Sequence, residues 1–194
     1  MNPSTAGSLS MYVGPMYSGK TSKLLELYKQ FTFCKVSTVV INYAEDTRYS
    51  SKNMLSTHDK QMIECEMCSK LAESFPTDGL AIKQYKVILI NEAQFFPDIV
   101  PWVKAMLAAP HNKNIYICGL DGDYLRNPFV NNWLELVAHS DSVHKLTSIC
   151  CNCRNLPAIF SCRLTAETEQ KVIGSDAYIP LCRECYDKTH TKTT

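Results

Sequence analysis

The stretch Gly14–Thr21 (GPMYSGKT) constrains the fold of this chain more than any other segment. It fits the pattern G-x-x-x-x-G-K-[ST] and follows the apolar run 9–13, which predicts a strand leading into a phosphate-binding loop. Its glycines allow backbone N–H groups to face phosphate oxygens, and the helix beginning near Lys20 adds its positive dipole end. The pattern assigns Lys20 to the β and γ phosphates and the Thr21 hydroxyl to Mg²⁺. An ordinary glycine-rich turn is the alternative. The predicted nucleotide-binding residues are Gly14, Pro15, Met16, Tyr17, Ser18, Gly19, Lys20 and Thr21.

Hydrophobic patterns after this loop alternate between helix and strand. Helical periodicity or a bounded apolar segment predicts helices at 20–33, 69–75, 99–109 and 130–138. Short β-branched or apolar runs predict strands at 36–41, 87–90, 114–118 and 143–146. The polar segment 42–59 has no periodicity and is predicted to be a long loop. This alternation predicts an α/β fold with a mostly parallel sheet and a site at its carboxyl edge.

Composition narrows the class of partner. The chain has 194 residues, 45% of them hydrophobic, which is enough for one core, or for one core and an appendage too small to fold on apolar burial alone. Its 20 basic and 19 acidic residues nearly cancel, which argues against nucleic acid or an anionic membrane as the main partner and favours a small molecule. The first ten residues lack a signal-peptide pattern, and no apolar run approaches the length of a membrane span, so we expect a cytoplasmic protein.

The ten cysteines include two C-x-x-C pairs separated by 28 residues, a spacing typical of a tetrahedral zinc site. Four thiolates leave no position for water, which indicates a structural zinc ion. The predicted ligands are Cys150, Cys153, Cys182 and Cys185. Cys151 is excluded because it cannot easily share the knuckle with its neighbour. The other cysteines are assigned to core or surface: Cys34, Cys65, Cys68, Cys118 and Cys162. Cys65 and Cys68 also form a C-x-x-C pair, which we interpret as packing residues, with a redox pair as the alternative.

An acidic side chain follows the apolar run 87–90. Glu92 stands at this strand end, where we expect it to face the phosphates from the next strand of the sheet. A carboxylate in that place can hold Mg²⁺ or take a proton from an attacking hydroxyl. A solvated strand end is the alternative interpretation.

Together these motifs resemble the type II thymidine kinase family. The resemblance rests on GPMYSGKT, DTRYSS, THD, EAQFFPD, GLDGDYLRNPF and the two knuckles flanking VIGSDAY, in that order over residues 9–187. It implies a P-loop (RecA-like) sheet with helices on both faces, residues 1–147, and a zinc-binding lobe with a lasso loop, residues 148–194. It also implies transfer of the γ-phosphate of ATP, with Mg²⁺, to the 5′-hydroxyl of thymidine, with deoxyuridine as a second substrate.

The resemblance also assigns roles to individual residues. Glu92 matches the catalytic base, Arg48 matches a residue that approaches the reacting phosphates, and Asp46 matches a metal-linked carboxylate. Positions around the thymine and sugar are Met16, Gln94, Phe95, Leu120, Tyr124 and Tyr178. Backbone groups of the lasso near Val172, Ile173 and Gly174 are expected to hold the base. A homotetramer and feedback inhibition by thymidine triphosphate are further implications.

The chain departs from the family pattern at several places. Asn91 stands where the family usually has an Asp that helps to hold Mg²⁺ through water, so we expect weakened use of metal or ATP. The segment Gly122-Asp123-Tyr124 replaces GTF and adds a hydroxyl to the aromatic ring. The lasso is one residue shorter than the common form, and the tail after Cys185 is short.

Three alternatives remain open at this level. One is a zinc-ribbon ATPase or nucleic-acid module, against which the balanced charge argues. The second is a nucleotide-binding protein of the same fold with weakened or lost catalysis. The third is a deoxynucleoside kinase with a broader range of substrates. Recognition of the base by backbone groups leaves few side chains from which its identity could be predicted.

Overall fold

The computed structural model describes residues 6–44, 54–56, 61–172 and 177–190. The strands in chain order are β1 (Ser8–Val13), β2 (Thr38–Tyr43), β3 (Met54–Ser56), β4 (Met62–Glu64), β5 (Glu66–Cys68), β6 (Val87–Ile90), β7 (Asn114–Gly119), β8 (Ser142–Lys145), β9 (Ser148–Ile149), β10 (Pro157–Ala158), β11 (Phe160–Arg163) and β12 (Tyr178–Leu181). The α-helices are α1 (Lys20–Phe33), α2 (Leu71–Ser74), α3 (Leu80–Lys83), α4 (Ile99–Leu107) and α5 (Arg183–His190). Short 3₁₀ helices cover Ala93–Phe95 and Trp133–His139.

The main sheet has six strands in the order β5-β2-β6-β7-β1-β8, and all its pairings are parallel. The predicted α/β fold is therefore confirmed. One detail of the prediction is wrong: β6, which leads to Glu92, is not beside β1. Strand β7 pairs with both, at Ile90↔Ile117 on one side and Val13↔Gly119 on the other. Parallel strands need crossover connections, so order along the chain does not give order in the sheet.

Helices cover both faces of this sheet, as predicted. Along β6 the side chains alternate: Val87 and Leu89 pack in the same core as Leu24 of α1, whereas Ile88 and Ile90 pack in the opposite core with Trp102 of α4. All four β6 residues are buried. Such two-sided burial explains why this strand is a continuous apolar run and not an alternating one.

Most predicted elements are displaced by one or two residues at their ends, and two segments differ from the prediction in kind. Met54–Ser56, inside the predicted long loop, is a strand that pairs antiparallel with β4. The helix predicted at 130–138 is a 3₁₀ helix at Trp133–His139. It cannot extend back to Val130 because Asn132 has a left-handed backbone conformation, with φ 50°.

The C-terminal residues form a small lobe with its own core. Two antiparallel ribbons, β9 with β10 and β11 with β12, pack with α5. Four of the buried residues in this core are cysteines and the largest is Tyr186, so little apolar surface is available. The division at residue 147/148 stays a prediction. Among the described residues, no helix is long and apolar enough to cross a membrane.

Candidate active site

The predicted phosphate-binding loop connects β1 to α1. Its backbone adopts conformations that require glycine at two positions. A Cβ at Gly14 would lie 2.4 Å from the carbonyl oxygen of Leu146, so no larger residue fits. Gly19 has φ 84° and is the N-cap of α1. Tyr17 also has a positive φ, 62°, which is uncommon for a residue with a side chain. The loop therefore turns sharply and presents the first N–H groups of a 14-residue helix to the pocket.

Two side chains of this loop suit a bound anion. Lys20 is buried, and its Nζ donates to the carbonyl oxygens of Gly14 at 3.1 Å and Pro15 at 2.7 Å. The Oγ of Ser18 is buried and has no hydrogen-bond partner among the described residues. A buried hydroxyl of this kind costs free energy unless a ligand satisfies it. The donors of this loop therefore fit the phosphates of ATP.

Behind the loop lies Cys118, whose Sγ contacts the carbonyl oxygen of Lys20 at 3.2 Å. Burial raises the pKa of the Cys118 thiol far above its usual value. The group therefore remains a neutral thiol and supports the start of α1 by packing.

Asn91 lies beside the phosphate loop, where the Mg²⁺ site was expected. Its Oδ1 accepts a hydrogen bond from Thr21 Oγ1 at 3.4 Å, and its Nδ2 donates to Asn42 Oδ1 at 3.0 Å. Asn42 and Asn91 are 1% and 2% exposed. The buried amide pair thus orients the neutral carbonyl of Asn91 towards Thr21. This donor set fits the prediction of a metal-bound water near Thr21, but it contributes no charge.

Glu92 lies in the same pocket as the phosphate loop. Its backbone is left-handed, with φ 54° and ψ 42°, and its Oε2 accepts a hydrogen bond from Gln94 Nε2 at 2.6 Å. The other end of the Gln94 amide accepts from the Leu120 N–H at 2.9 Å. Gln94 is 3% exposed and is absent from the pocket wall. It therefore holds the Glu92 carboxylate from behind.

Aromatic side chains form the other walls of this pocket. Phe95 lies 5.5 Å from Tyr43 and 6.0 Å from Phe129, measured between ring centroids. Tyr124 and Tyr178 also line it. Lys171 Nζ donates to the Tyr43 hydroxyl at 3.1 Å and lies 4.3 Å from that ring's centroid. A flat, apolar ring with polar edges would fit between such walls.

The lobe carries the predicted cysteine cluster. The four sulfur atoms of Cys150, Cys153, Cys182 and Cys185 lie within 4.8 Å of one another, and two of them are 3.9 Å apart. Thiolates at about 2.3 Å from a tetrahedral zinc ion are separated by about 3.8 Å, so the cluster fits zinc. Cys151 is exposed and outside it, as expected.

The pKa values of two thiols in the cluster also favour binding of a cation. Burial raises the pKa of Cys150, but hydrogen bonds from the backbone of Cys182, Cys153 and Asn152 outweigh burial and lower it to about 6. Burial, with contacts to the neighbouring thiols, raises the pKa of Cys185 to about 12. The cluster therefore forms one thiolate readily and resists a second negative charge unless a cation balances it.

The remaining cysteines lie in the core or at the surface. Cys65, Cys68, Cys118 and Cys162 are buried and Cys34 is exposed. Burial raises the pKa of Cys68 to about 11, which disfavours the reactive thiolate. This supports packing over a redox pair.

The structure places most of the predicted site residues together. The pocket wall includes Met16, Tyr17, Ser18, Gly19, Lys20, Thr21, Asn91, Glu92, Phe95, Leu120, Tyr124, Val172 and Tyr178. Gly14, Pro15 and Gln94 lie outside the wall. Asp46, Arg48, Ile173 and Gly174 lie outside the described residues. The roles assigned to all these residues stay predictions.

Several wall residues were missed by sequence reasoning. They are Ser22, Tyr43, Ser56, Gly122, Asp123, Phe129, Ser161, Gln170 and Lys171. Ser161 Oγ accepts a hydrogen bond from the Met16 N–H at 2.9 Å, although the two residues are 145 positions apart. Only proximity to known motifs, such as Tyr43 before DTRYSS or Lys171 before VIGSDAY, could have indicated them.

Comparison with known proteins finds relatives over most of the chain. A family model described as thymidine kinase matches residues 7–186. The chain is 38% identical over 186 residues to thymidine kinase 1 of Dictyostelium discoideum, covering 94% of this chain and 78% of that protein. It is 39% identical over 181 residues to thymidine kinases of Variola virus and Monkeypox virus, covering 93% of this chain and 97% of each relative.

Proposed function

Since this chain belongs to the thymidine kinase family, we infer that it transfers the γ-phosphate of ATP to thymidine. It is an ATP-dependent nucleoside kinase of nucleotide salvage, and its products are ADP and thymidine monophosphate. The observation that carries this inference is that the phosphate loop, Glu92 and the aromatic walls line one and the same pocket. Deoxyuridine, which differs from thymidine by one methyl group, is the second substrate that we propose.

In the proposed mechanism, Glu92 is the general base. Its carboxylate takes the proton of the 5′-hydroxyl as that oxygen bonds to the γ-phosphorus, and the bond from this phosphorus to the β–γ bridging oxygen breaks. The left-handed backbone and the hydrogen bond from Gln94 support this role because they restrict where the carboxylate can lie. Arg48 and Asp46 are proposed to act near the same phosphates.

The charge of the phosphates is balanced mainly by the loop. The Lys20 ammonium and the N–H groups at the start of α1 are proposed to bind the β and γ phosphates. Thr21 and, through water, Asn91 would hold Mg²⁺, which neutralises charge on the phosphate oxygens. The neutral amide of Asn91 makes us expect a weaker metal site than a carboxylate would give.

The nucleoside is proposed to lie between the aromatic walls. Phe95 and Tyr124 would contact the base, Met16 and Leu120 would pack beside it, and backbone groups near Val172 would form its hydrogen bonds. Tyr178 closes the same wall. Ile173 and Gly174 belong to the proposed set.

Zinc is proposed to have a structural role in the lobe. The four cysteines supply all four coordination positions, which leaves none for a substrate. Residues 170–172, which line the pocket, lie between β11 and β12 in the chain. The ion would therefore stabilise the nucleoside wall without taking part in the reaction.

We also propose a homotetramer in the cytoplasm, with thymidine triphosphate as feedback inhibitor at the same pocket. Light scattering tests the tetramer.

The experiment that tests the function is a nucleoside panel. The purified protein, ATP and Mg²⁺ are incubated with thymidine, deoxyuridine, deoxycytidine, deoxyadenosine and deoxyguanosine in parallel. We expect turnover of thymidine and deoxyuridine, and a loss of about 10²-fold to 10⁴-fold in kcat for Glu92→Gln. The matched control is Glu64→Gln, an exposed carboxylate on β4. ATP binding without phosphorylation of any nucleoside would instead identify a nucleotide-binding protein that has lost catalysis.

A further inference from the structure

Arg163 is a buried cation at the edge of the nucleoside pocket. It ends β11, where its register partner on β12 is Tyr178, and it is 9% exposed. The residue is not part of the pocket wall, and it belongs to none of the sequence motifs described above. Burial of a guanidinium requires that its donors be satisfied. Its contacts therefore indicate what it organises.

All three nitrogens of the guanidinium donate hydrogen bonds to neutral oxygens. Nη1 donates to the carbonyl oxygens of Glu167 at 2.8 Å and Glu169 at 2.7 Å, and Nη2 donates to that of Gln170 at 3.2 Å. Nε and Nη2 both donate to the Tyr178 hydroxyl, at 3.2 and 2.6 Å. No carboxylate is among these partners in the described part of the chain. The Arg163 guanidinium thus orients three backbone carbonyl groups and the phenol of Tyr178.

The flat face of the same group packs on a wall residue. The guanidinium carbon lies 3.7 Å from the centroid of the Tyr124 ring. The Tyr124 hydroxyl in turn donates to the carbonyl oxygen of Thr168 at 3.2 Å. A stacked cation of this kind fixes the plane of the ring as well as its position.

The backbone segment that Arg163 holds leads directly into the pocket wall. Gln170 follows Glu169, and its side chain donates to Asp123 Oδ2 at 2.9 Å and to the Pro128 carbonyl oxygen at 3.2 Å. The Tyr178 hydroxyl also donates to the carbonyl oxygen of Val172 at 3.3 Å. Residues 167–172 are therefore attached at one side by Arg163 and at the other by Gln170.

We propose that Arg163 is a positioning residue for nucleoside binding. Its guanidinium holds residues 167–170 and the rings of Tyr124 and Tyr178 in the arrangement that forms one wall of the pocket. Lysine cannot replace it, because one nitrogen with three donors has neither the planar fork nor the reach to bond four separate oxygens. This inference rests on the proposed nucleoside kinase function.

The test compares steady-state kinetics of the wild type, Arg163→Lys and Arg126→Lys. We expect Arg163→Lys to raise the KM for thymidine by about 10-fold to 100-fold, because several charge-assisted hydrogen bonds are lost. The KM for ATP and kcat should change little, since the phosphate loop and Glu92 are not touched. Arg126 is the matched control: it is exposed, stacks on Tyr186 and pairs with Asp187 at 3.0 Å, and neither of these partners belongs to residues 167–172.

Two further measurements separate positioning from simple loss of fold. Zinc content should match the wild type and thermal melting should stay one cooperative transition, while a glutamate-specific protease should cleave faster after Glu167 and Glu169 in Arg163→Lys. If that variant does not fold, Gln170→Ala removes the opposite attachment of the same segment and must raise the thymidine KM. An unchanged thymidine KM in the folded Arg163→Lys, or in Gln170→Ala, overturns the proposal. Failure of the wild type to phosphorylate thymidine would instead contradict the proposed function.

Discussion

Glu92 combines a reactive side chain with an unfavourable backbone. Its left-handed conformation, with φ 54° and ψ 42°, costs about 1–2 kcal/mol for a residue with a Cβ. Strained backbone of this kind often occurs at functional sites, where surrounding contacts compensate for it. Here the compensation includes the buried strand before Glu92 and the hydrogen bond from Gln94.

The support from Gln94 can be removed without changing the carboxylate. Gln94→Met keeps a side chain of similar length but cannot donate to Glu92 Oε2 or accept from the Leu120 N–H. We expect kcat to fall by about 10-fold or more, because the Glu92 carboxylate loses a charge-assisted hydrogen bond. Steady-state kinetics measure this, with Gln84→Met, at an exposed position, as the control. An unchanged kcat would show that Glu92 does not depend on this contact.

Asn91 is predicted to set the Mg²⁺ requirement. Asn91→Asp places a negative charge beside Thr21, so the Mg²⁺ concentration that gives half-maximal activity should fall by roughly 10-fold. Activity titrated against Mg²⁺ measures this, and Asn155→Asp in the exposed part of the lobe is the control.

The buried partner of Asn91 affects the result. A carboxylate cannot donate to Asn42 Oδ1, so the Asn42 amide must turn and donate through its own Nδ2. If the Mg²⁺ dependence of Asn91→Asp equals that of the wild type, the proposed metal role of this position is wrong.

At the scale of elements, a residue at the start of one helix supports the start of another. Asp98 is the N-cap residue of α4, and its side chain accepts hydrogen bonds from the N–H groups of Leu71 at 3.1 Å and Ala72 at 2.8 Å. These N–H groups belong to the first turn of α2, which has no side-chain cap of its own. A helix of four residues has little stability in isolation, so this contact determines where it begins.

Replacing this carboxylate should destabilise the fold. For Asp98→Ala we expect the free energy of unfolding to fall by about 1–2 kcal/mol, as for loss of a helix cap. Denaturant unfolding gives the value. Asp78→Ala, at an exposed site nearby, should stay within about 0.5 kcal/mol of the wild type. Equal effects of the two variants would contradict the capping role.

At the scale of the whole molecule, the sheet and the lobe meet at the pocket. The Met16 N–H of the phosphate loop donates to Ser161 on β11, and the Tyr186 hydroxyl on α5 donates to the carbonyl oxygen of Tyr124. Gln170 bonds to Asp123 in the same region. The stability of the lobe should therefore influence nucleoside binding even though its four clustered cysteines are not part of the pocket wall.

The four cysteines proposed to bind zinc provide the test at this scale. Cys182→Ser should abolish zinc binding, lower the melting temperature and raise the KM for thymidine, because a site of this type contributes about 10 kcal/mol or more to folding. Cys151→Ser, one position from a ligand and exposed, should change none of these. Metal analysis, thermal melting and kinetics measure the three effects. Loss of zinc from both variants would contradict the assignment of the four ligands.

Much of this protein could be predicted from local sequence. The phosphate loop, the helix after it, the apolar strand before Glu92 and the four cysteines all depend on short-range patterns of glycine, periodicity or ligand spacing. These patterns act through backbone geometry and hydrophobic burial within a few residues. They therefore indicated the α/β fold, the nucleotide site and the zinc cluster before any contact was known.

Tertiary structure decided the features that depend on contacts between distant residues. Strand β7 separates β6 from β1, the amide of Asn42 orients Asn91, and Ser161 bonds to the phosphate loop. The role of Arg163 exists only because its donors meet carbonyls and rings from three segments. No residue carries information about which distant partner satisfies its hydrogen bonds. That choice is made when burial requires every polar group to be paired and the packed chain offers one set of partners.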